Sequence, residues 1–500
     1  MRTTIRPRLA PVALSILFLL GVGAPGLEAQ RNLATRISRR LDAPPFDRNL
    51  WGVVLMDING RVLYERNAGR LFIPASNTKV VVAAVAAALL PADWTVTTSV
   101  YSTGPIVEGE LRGDLVLYGR GDPTFSRRCY DVDTTAAGAC VEDPLEPLRV
   151  LAGQLRARGI RTVTGKVVGD GSYFEPTLVH PGWEGYDLNW WYAAPVSGLS
   201  LNDNSIDLEY GPGPAIGAPV VIAFSPDFGD VSLENRTSTS PPGTRRTIDF
   251  FRRPGSLDLW AEGTLALDSG RRTEYFALPD PNYFAAQGLR KALADSGISV
   301  TGPTESTVDS VLYQSIRLGP PLAEVASRPL RDWIFPILNT SQNFFAEMLL
   351  KQLGKQFGTG GSWQEGLDIE RRFLIDSVGI DSTQFSFRDG SGLASSNVVT
   401  PMALAQLLAY IRRHPHYATF AAGLPQSGAR GSLKNRFGGT PLDGRVRAKT
   451  GSISRVNSLS GYIETPKGRT LAFSILANNH TRNGSEMIRQ IDSIVVEMGR

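Results

Sequence analysis

The chain has 500 residues, too many for one ordinary domain and suited to two or three. Its 42% hydrophobic and 20% charged content describes a globular protein with ample core, not a collagen-like, coiled-coil or disordered one. With 52 basic against 48 acidic residues there is no surplus for a nucleic-acid-binding stripe, and two cysteines with four histidines leave little for a metal site.

Residues 1–29 read as a secretory signal. Arg2, Arg6 and Arg8 precede an apolar run from Leu9 to Val22, and small residues lead to a cut after Ala29. That run is shorter than the ~18–20 residues that span a bilayer. The expected mature chain is therefore exported to the periplasm or the exterior, with no integral membrane span. Export lets Cys129 and Cys140 pair across the polar segment YDVDTTAAGA, the alternative being two free thiols. Neither reading makes them catalytic.

Next come WGVVLMD and RVLYER, two strand-like runs joined through Ile58-Asn59-Gly60, a hairpin signal. FIPASNTK follows, and then VVVAAVAAALL, apolar on all sides and so read as a buried helix with Ser76 at its start. From about Trp94 to Ser310 the texture changes to Gly, Pro and Thr with short β-like runs such as DLVLYG, TVTGKVVGD and SIDLEYG. Only Leu145–Arg158 and Tyr283–Ser296 look helical there. This region, residues 94–310, is expected to be a β-rich insertion, one domain or two nested ones, standing apart from the chemistry.

Helical pattern returns in PLRDWIFPIL and NFFAEMLLKQLGKQF. RVRAKTGSI then reads as a strand, SLSGYIE and TLAFSILAN as a hairpin, and the segment from Gly484 as an amphipathic helix. Residues 30–93 and 311–500 are thus expected to form one discontinuous domain, an antiparallel sheet flanked by helices. The expected class is α+β.

No GxSxG elbow occurs, and four histidines are too few to assume a Ser-His-Asp triad. The other activation of a serine is a lysine one turn away. Ser76 and Lys79 form the only Ser-x-x-Lys pair, although 39 Ser and 8 Lys would supply about 0.6 by chance. Lys449-Thr450-Gly451 is rarer, with about 0.05 expected by chance, and it lies on a predicted strand. Ser-x-Asn occurs at Ser200–Asn202, Ser341–Asn343 and Ser395–Asn397. Only Ser341–Asn343 falls between two helical segments, where a loop can aim both side chains into a cleft. The Asp389-Gly390-Ser391-Gly392 turn and Asp122 read as structural.

In this order the three motifs resemble those of the penicillin-recognising serine enzymes. The large insertion after the first motif is similar to that of the low-molecular-mass class C penicillin-binding proteins, the D-alanyl-D-alanine carboxypeptidase/endopeptidase family. So are LYGRGDPTF, SQNFFAEMLLKQLG, RDGSGLASSNVVTP and VRAKTGSISRVNSLSGYI. Several members carry Asp at the position of Gln342. The resemblance implies a penicillin-recognising transpeptidase/β-lactamase-like fold, peptidoglycan stem peptides as substrates, β-lactams as covalent inhibitors and no cofactor or metal. It casts Ser76 as nucleophile, Lys79 as base and Ser341 as proton donor to the leaving amine. Asn343 would hold the substrate amide, and Lys449 and Thr450 the terminal carboxylate. Gly451 would admit the substrate backbone, and the N–H groups of Ser76 and Ser452 would form an oxyanion hole. The rivals are a β-lactamase, disfavoured by the insertion, and a non-catalytic wall-binding sensor, disfavoured by the intact serine and lysine.

Overall fold

The computed structural model describes residues 25–125, 130, 143–253 and 255–500. Cys129, Cys140 and the apolar N-terminal run lie outside them. The proposed cut after Ala29 falls within a helix, Pro25–Leu41. Among the described residues no helix is long and apolar enough to cross a membrane.

Both ends of the chain build one five-stranded antiparallel sheet. Its order is Val62–Arg66, Leu50–Asp57, Thr470–Asn478, Val456–Glu464 and Val446–Ile453. The expected hairpins are present, with Gly60 at φ 94° in the first turn, a conformation glycine adopts without a Cβ penalty. Because side chains alternate across a strand, Val53 and Leu55 face one side while Val54 and Met56 face the other. On the first side Ile37 and Leu41 pack with Met487, Ile491 and Ile494 of the helix Gly484–Met498. On the second side lies Lys79–Leu89, whose residues from Lys79 to Ala87 are all buried. It is surrounded by Leu330–Asn339, Asn343–Phe357 and Pro401–Arg413, three helices that share its core. An apolar helix with no polar face needs such enclosure on every side.

The insertion has its own core, formed among others by Val100, Leu117, Leu151, Leu208 and Leu289. Its principal sheet is mixed, in the order Thr304–Thr307, Val167–Asp170, Leu115–Tyr118, Thr97–Ser102 and Ala323–Ala326. Helices Glu146–Ala157 and Pro281–Asp295 lie where the sequence places them. The last strand corrects the expected boundary at 310. Ala323–Ala326 pairs with Thr97–Ser102, so this sheet closes only beyond residue 322. The composition change near Ser310 marks an exposed loop before that strand, not the end of the unit.

Candidate active site

Ser76 stands in a tight 3-10 turn, Ala75–Thr78, and the α-helix begins only at Lys79. A 3-10 turn eclipses side chains three apart, and Lys79 Nζ accordingly donates to Ser76 Oγ at 2.9 Å. Lys79 spends its other donors on Asn343 Oδ1 at 2.6 Å and on the Ser391 carbonyl at 2.7 Å. Its side chain is wholly buried. Burial pulls the ammonium down to about 7, against the opposing negative fields of Glu347 and Asp389.

The second motif lies in the loop between Leu330–Asn339 and Asn343–Phe357, as its spacing predicts. Ser341 is held at φ 65°, an uncommon conformation for a side chain other than Gly, Asn or Asp. Asn343 opens the following helix, and its Nδ2 donates to the Tyr192 carbonyl at 2.7 Å. Between them Gln342 caps the helix by accepting from Phe344 N, and its Nε2 donates to Tyr130 Oη and Asp203 Oδ2.

The third motif is on the edge strand Val446–Ile453. Lys449 Nζ donates to Ser341 Oγ at 2.8 Å, which joins the second and third motifs. Asn77 joins the first to the third by donating to the Lys449 carbonyl and to Ser458 Oγ. Thr450 Oγ1 donates to Ser432 Oγ, and exposed Ser452 Oγ accepts from Asn457 Nδ2. A Cβ at Gly451 would fall 2.2 Å from Ser458 Oγ and 2.8 Å from the Pro74 carbonyl, so no larger residue fits there without movement. Hydrogen bonds thus tie Lys79 to Ser76 and Asn343, and Lys449 to Ser341, while Thr450, Gly451 and Ser452 follow Lys449 on its strand.

Burial and the charge of Lys79 push Lys449 well below its ordinary value. Among the described residues no carboxylate forms an ion pair with it. A buried amine without a counter-ion suits an incoming anion.

Two expectations need correction. The Asp389–Gly392 turn is not merely structural, because the Ser391 carbonyl is one of three groups holding Lys79. Its signal in the sequence was the dense Asp-Gly-Ser-Gly turn, but nothing there fixes where a carbonyl points. Nor does the insertion stand apart from the site. Tyr192 holds Asn343, Asp203 holds Gln342, and Trp183 Nε1 donates to Asp389 Oδ2 at 3.0 Å. Phe174, Trp183 and Val196 also pack into the core shared by Lys79–Leu89.

Residues 33–498 match the model of the D-Ala-D-Ala carboxypeptidase 3 (S13) family. A D-alanyl-D-alanine carboxypeptidase from an Actinomadura species is 30% identical over 98% of this chain and 89% of its own length. A D-alanyl-D-alanine carboxypeptidase from Haemophilus influenzae is 25% identical, covering 87% of this chain and 86% of its own. The crystal structure of penicillin binding protein 4 from Haemophilus influenzae shares the fold, with a TM-score of 0.77 at 24% identity over 92% of this chain and 97% of that one. The motifs that converge on Lys79 therefore sit in a chain matched almost from end to end, and the protein belongs to the D-Ala-D-Ala carboxypeptidase 3 (S13) family.

Proposed function

We propose that this serine-type D-alanyl-D-alanine carboxypeptidase trims peptidoglycan stem peptides through an acyl-enzyme on Ser76, after export to the periplasm or exterior. The carrying observation is Lys79, buried and held against Ser76 Oγ with its proton affinity lowered to about 7. A lysine so placed is a base near neutral pH.

In this reading Lys79 takes the Ser76 proton as Oγ bonds to the carbonyl carbon of the penultimate D-alanine. The N–H groups of Ser76 and Ser452 receive the oxyanion, at ~3–4 kcal/mol per donor in comparable acyl transfers. Ser341, hydrogen-bonded to Lys449, passes a proton to the departing amine as the C–N bond breaks, and the proton that Lys79 took from Ser76 replaces it, which returns Lys79 to its neutral form. Water then cleaves the ester and restores the Ser76 hydroxyl. Asn343 orients the substrate amide, and Lys449 with Thr450 receives the terminal carboxylate. Gln426 and Pro425 cover the edge strand up to Ala448, and beyond that the edge at Thr450–Ser452 is where an extended peptide can lie beside Gly451.

Benzylpenicillin presents the same carboxylate and a strained amide, but its leaving group stays tethered. Intact-mass analysis should show one long-lived adduct, mapped by digestion to the peptide containing Ser76, and terminal D-alanine release from a stem pentapeptide. An adduct on another serine would remove the nucleophile assignment. Rapid drug turnover without peptide cleavage would point to a β-lactamase.

Lys449→Ala gives a narrower test. It should lower kcat/KM on peptides with a free terminal carboxylate by roughly 100-fold, the order of one lost charge-assisted hydrogen bond. Peptides amidated at that end should lose much less. Equal losses on both would argue against carboxylate binding.

A further inference from the structure

Glu347 is wholly buried one turn after Asn343, on the same face of the helix Asn343–Phe357. Its Oε1 accepts from Ser391 N at 2.7 Å. Its Oε2 accepts from Gly390 N at 3.0 Å and from Trp363 Nε1 at 2.8 Å. The carboxylate therefore grips the two consecutive peptides whose next carbonyl, that of Ser391, accepts a hydrogen bond from Lys79.

That carbonyl matters because of how an amine is built. A neutral lysine has two N–H donors and one lone pair. Asn343 Oδ1 and the Ser391 carbonyl are two acceptors for the two N–H groups, which leaves the lone pair facing the Ser76 hydroxyl. With the Ser391 carbonyl displaced, the amine can rotate and present an N–H to Ser76 instead. Proximity alone does not make a base, and orientation of the lone pair does.

We infer that Glu347 is a positioning residue: by fixing the Ser391 carbonyl it orients the Lys79 lone pair on Ser76, and its negative charge favours the protonated form of Lys79. This inference rests on the reading of Lys79 as the base. The charges around Glu347 are compatible with the second role. Asp389 comes from the gripped turn, Glu370 from the helix Trp363–Arg372, Lys351 from the same helix as Glu347, and Lys79 from the central helix. Farther out, Lys449 faces Lys79, and His180 and Glu175 face Asp389 and Lys351. Glu370 has both carboxyl oxygens buried without a hydrogen-bond partner, and burial with the negative fields of Glu347 and Asp389 pushes it well above its ordinary value, which favours its neutral form. Burial and the Asp389 charge also push Glu347 up, to about 7, while its N–H donors oppose them.

The test follows acylation by a chromogenic cephalosporin from pH 5 to 9, with adducts mapped by mass and folding checked by thermal melting. Glu347→Gln keeps the size but loses the charge and turns an N–H₂ toward one of the N–H donors. Its plateau rate should fall roughly 10- to 100-fold through misorientation. Its acidic limb should move down by less than about one pH unit, because Lys79 loses a carboxylate that is itself partly protonated near pH 7. Trp363→Phe removes the indole donor together with part of the ring under the Lys351 ammonium, so Glu347 binds a proton more readily and the limb should again move down, by less. If Glu347→Gln does not fold, Trp363→Phe decides alone. A limb that stays at the wild-type pH in the folded variants, whatever happens to the melting temperature, overturns the assignment to Glu347. Absence of a Ser76 adduct in the wild type would instead overturn the mechanism on which it rests.

Discussion

Lys79→Ala should lower acylation by benzylpenicillin about 10²–10⁴-fold, the usual contribution of a positioned general base. The loss has a pH signature. In the wild type the amine gains its lone pair as pH rises through about 7, where burial has brought Lys79. Acylation should therefore climb through that window and level off above it, and in Lys79→Ala the climb should disappear. Stability moves the other way from the common lysine case. The folded value lies below the unfolded value near 10.5, so the neutral form is favoured by folding, and stability is lost as pH falls from the unfolded value through 7. Ala at this position removes that penalty, so the variant should melt no lower than the wild type at pH 6 apart from the cavity it leaves. Acylation within tenfold of wild type, in a variant that melts cooperatively, would exclude Lys79 as base.

The second large effect is expected at Gly392, which closes the turn holding Lys79. Its φ is 80°, and a Cβ there would sit 2.0 Å from the carbonyl oxygen of Ala75, the residue before Ser76. Gly379 has the same φ of 80° but no atom within 4 Å of such a Cβ. The pair separates two causes. Gly379→Ala should cost about 1–2 kcal/mol, the price of a left-handed alanine. Gly392→Ala should cost about 2–4 kcal/mol, because a backbone clash adds to that conformational penalty. It should also slow acylation by at least tenfold, since the clash pushes on Ala75, itself at φ 49°. Equal destabilisation by the two substitutions would show that the Ala75 contact is relieved without consequence.

Much of this site was legible in the residues because its chemistry is short-range in sequence. Ser76 and Lys79 are one turn apart, Ser341 and Asn343 share a loop, and Lys449 to Ser452 share a strand. Those intervals survive folding, and the hairpins and buried helix around them follow from hydrophobic period alone. Carbonyl direction and long-range packing were not legible. Ser391 holds Lys79 by a backbone atom that every residue type possesses. Tyr192 does the same for Asn343. The strand Ala323–Ala326 is four residues long with alternating exposure, too short for its period to announce a partner at Thr97–Ser102. Glu347 reads in sequence as an ordinary helix-former, and only its complete burial reveals that it serves the turn.

The order of strands in the main sheet has a consequence for synthesis. Thr470–Asn478 is the middle strand, lying between Leu50–Asp57 and Val456–Glu464. Its Asn478 also reaches back to Ile73 N across 405 positions, just ahead of the Ser76 turn. A chain made from its N-terminus therefore carries the first hairpin and Ser76 long before the strand that holds them in place. The insertion, with its own core, can form in the interval. The sheet cannot, because closing it requires contacts of very high sequence separation. A growing chain therefore lacks the centre of this sheet until Thr470–Asn478 has been made, and a product ending short of that strand lacks it altogether.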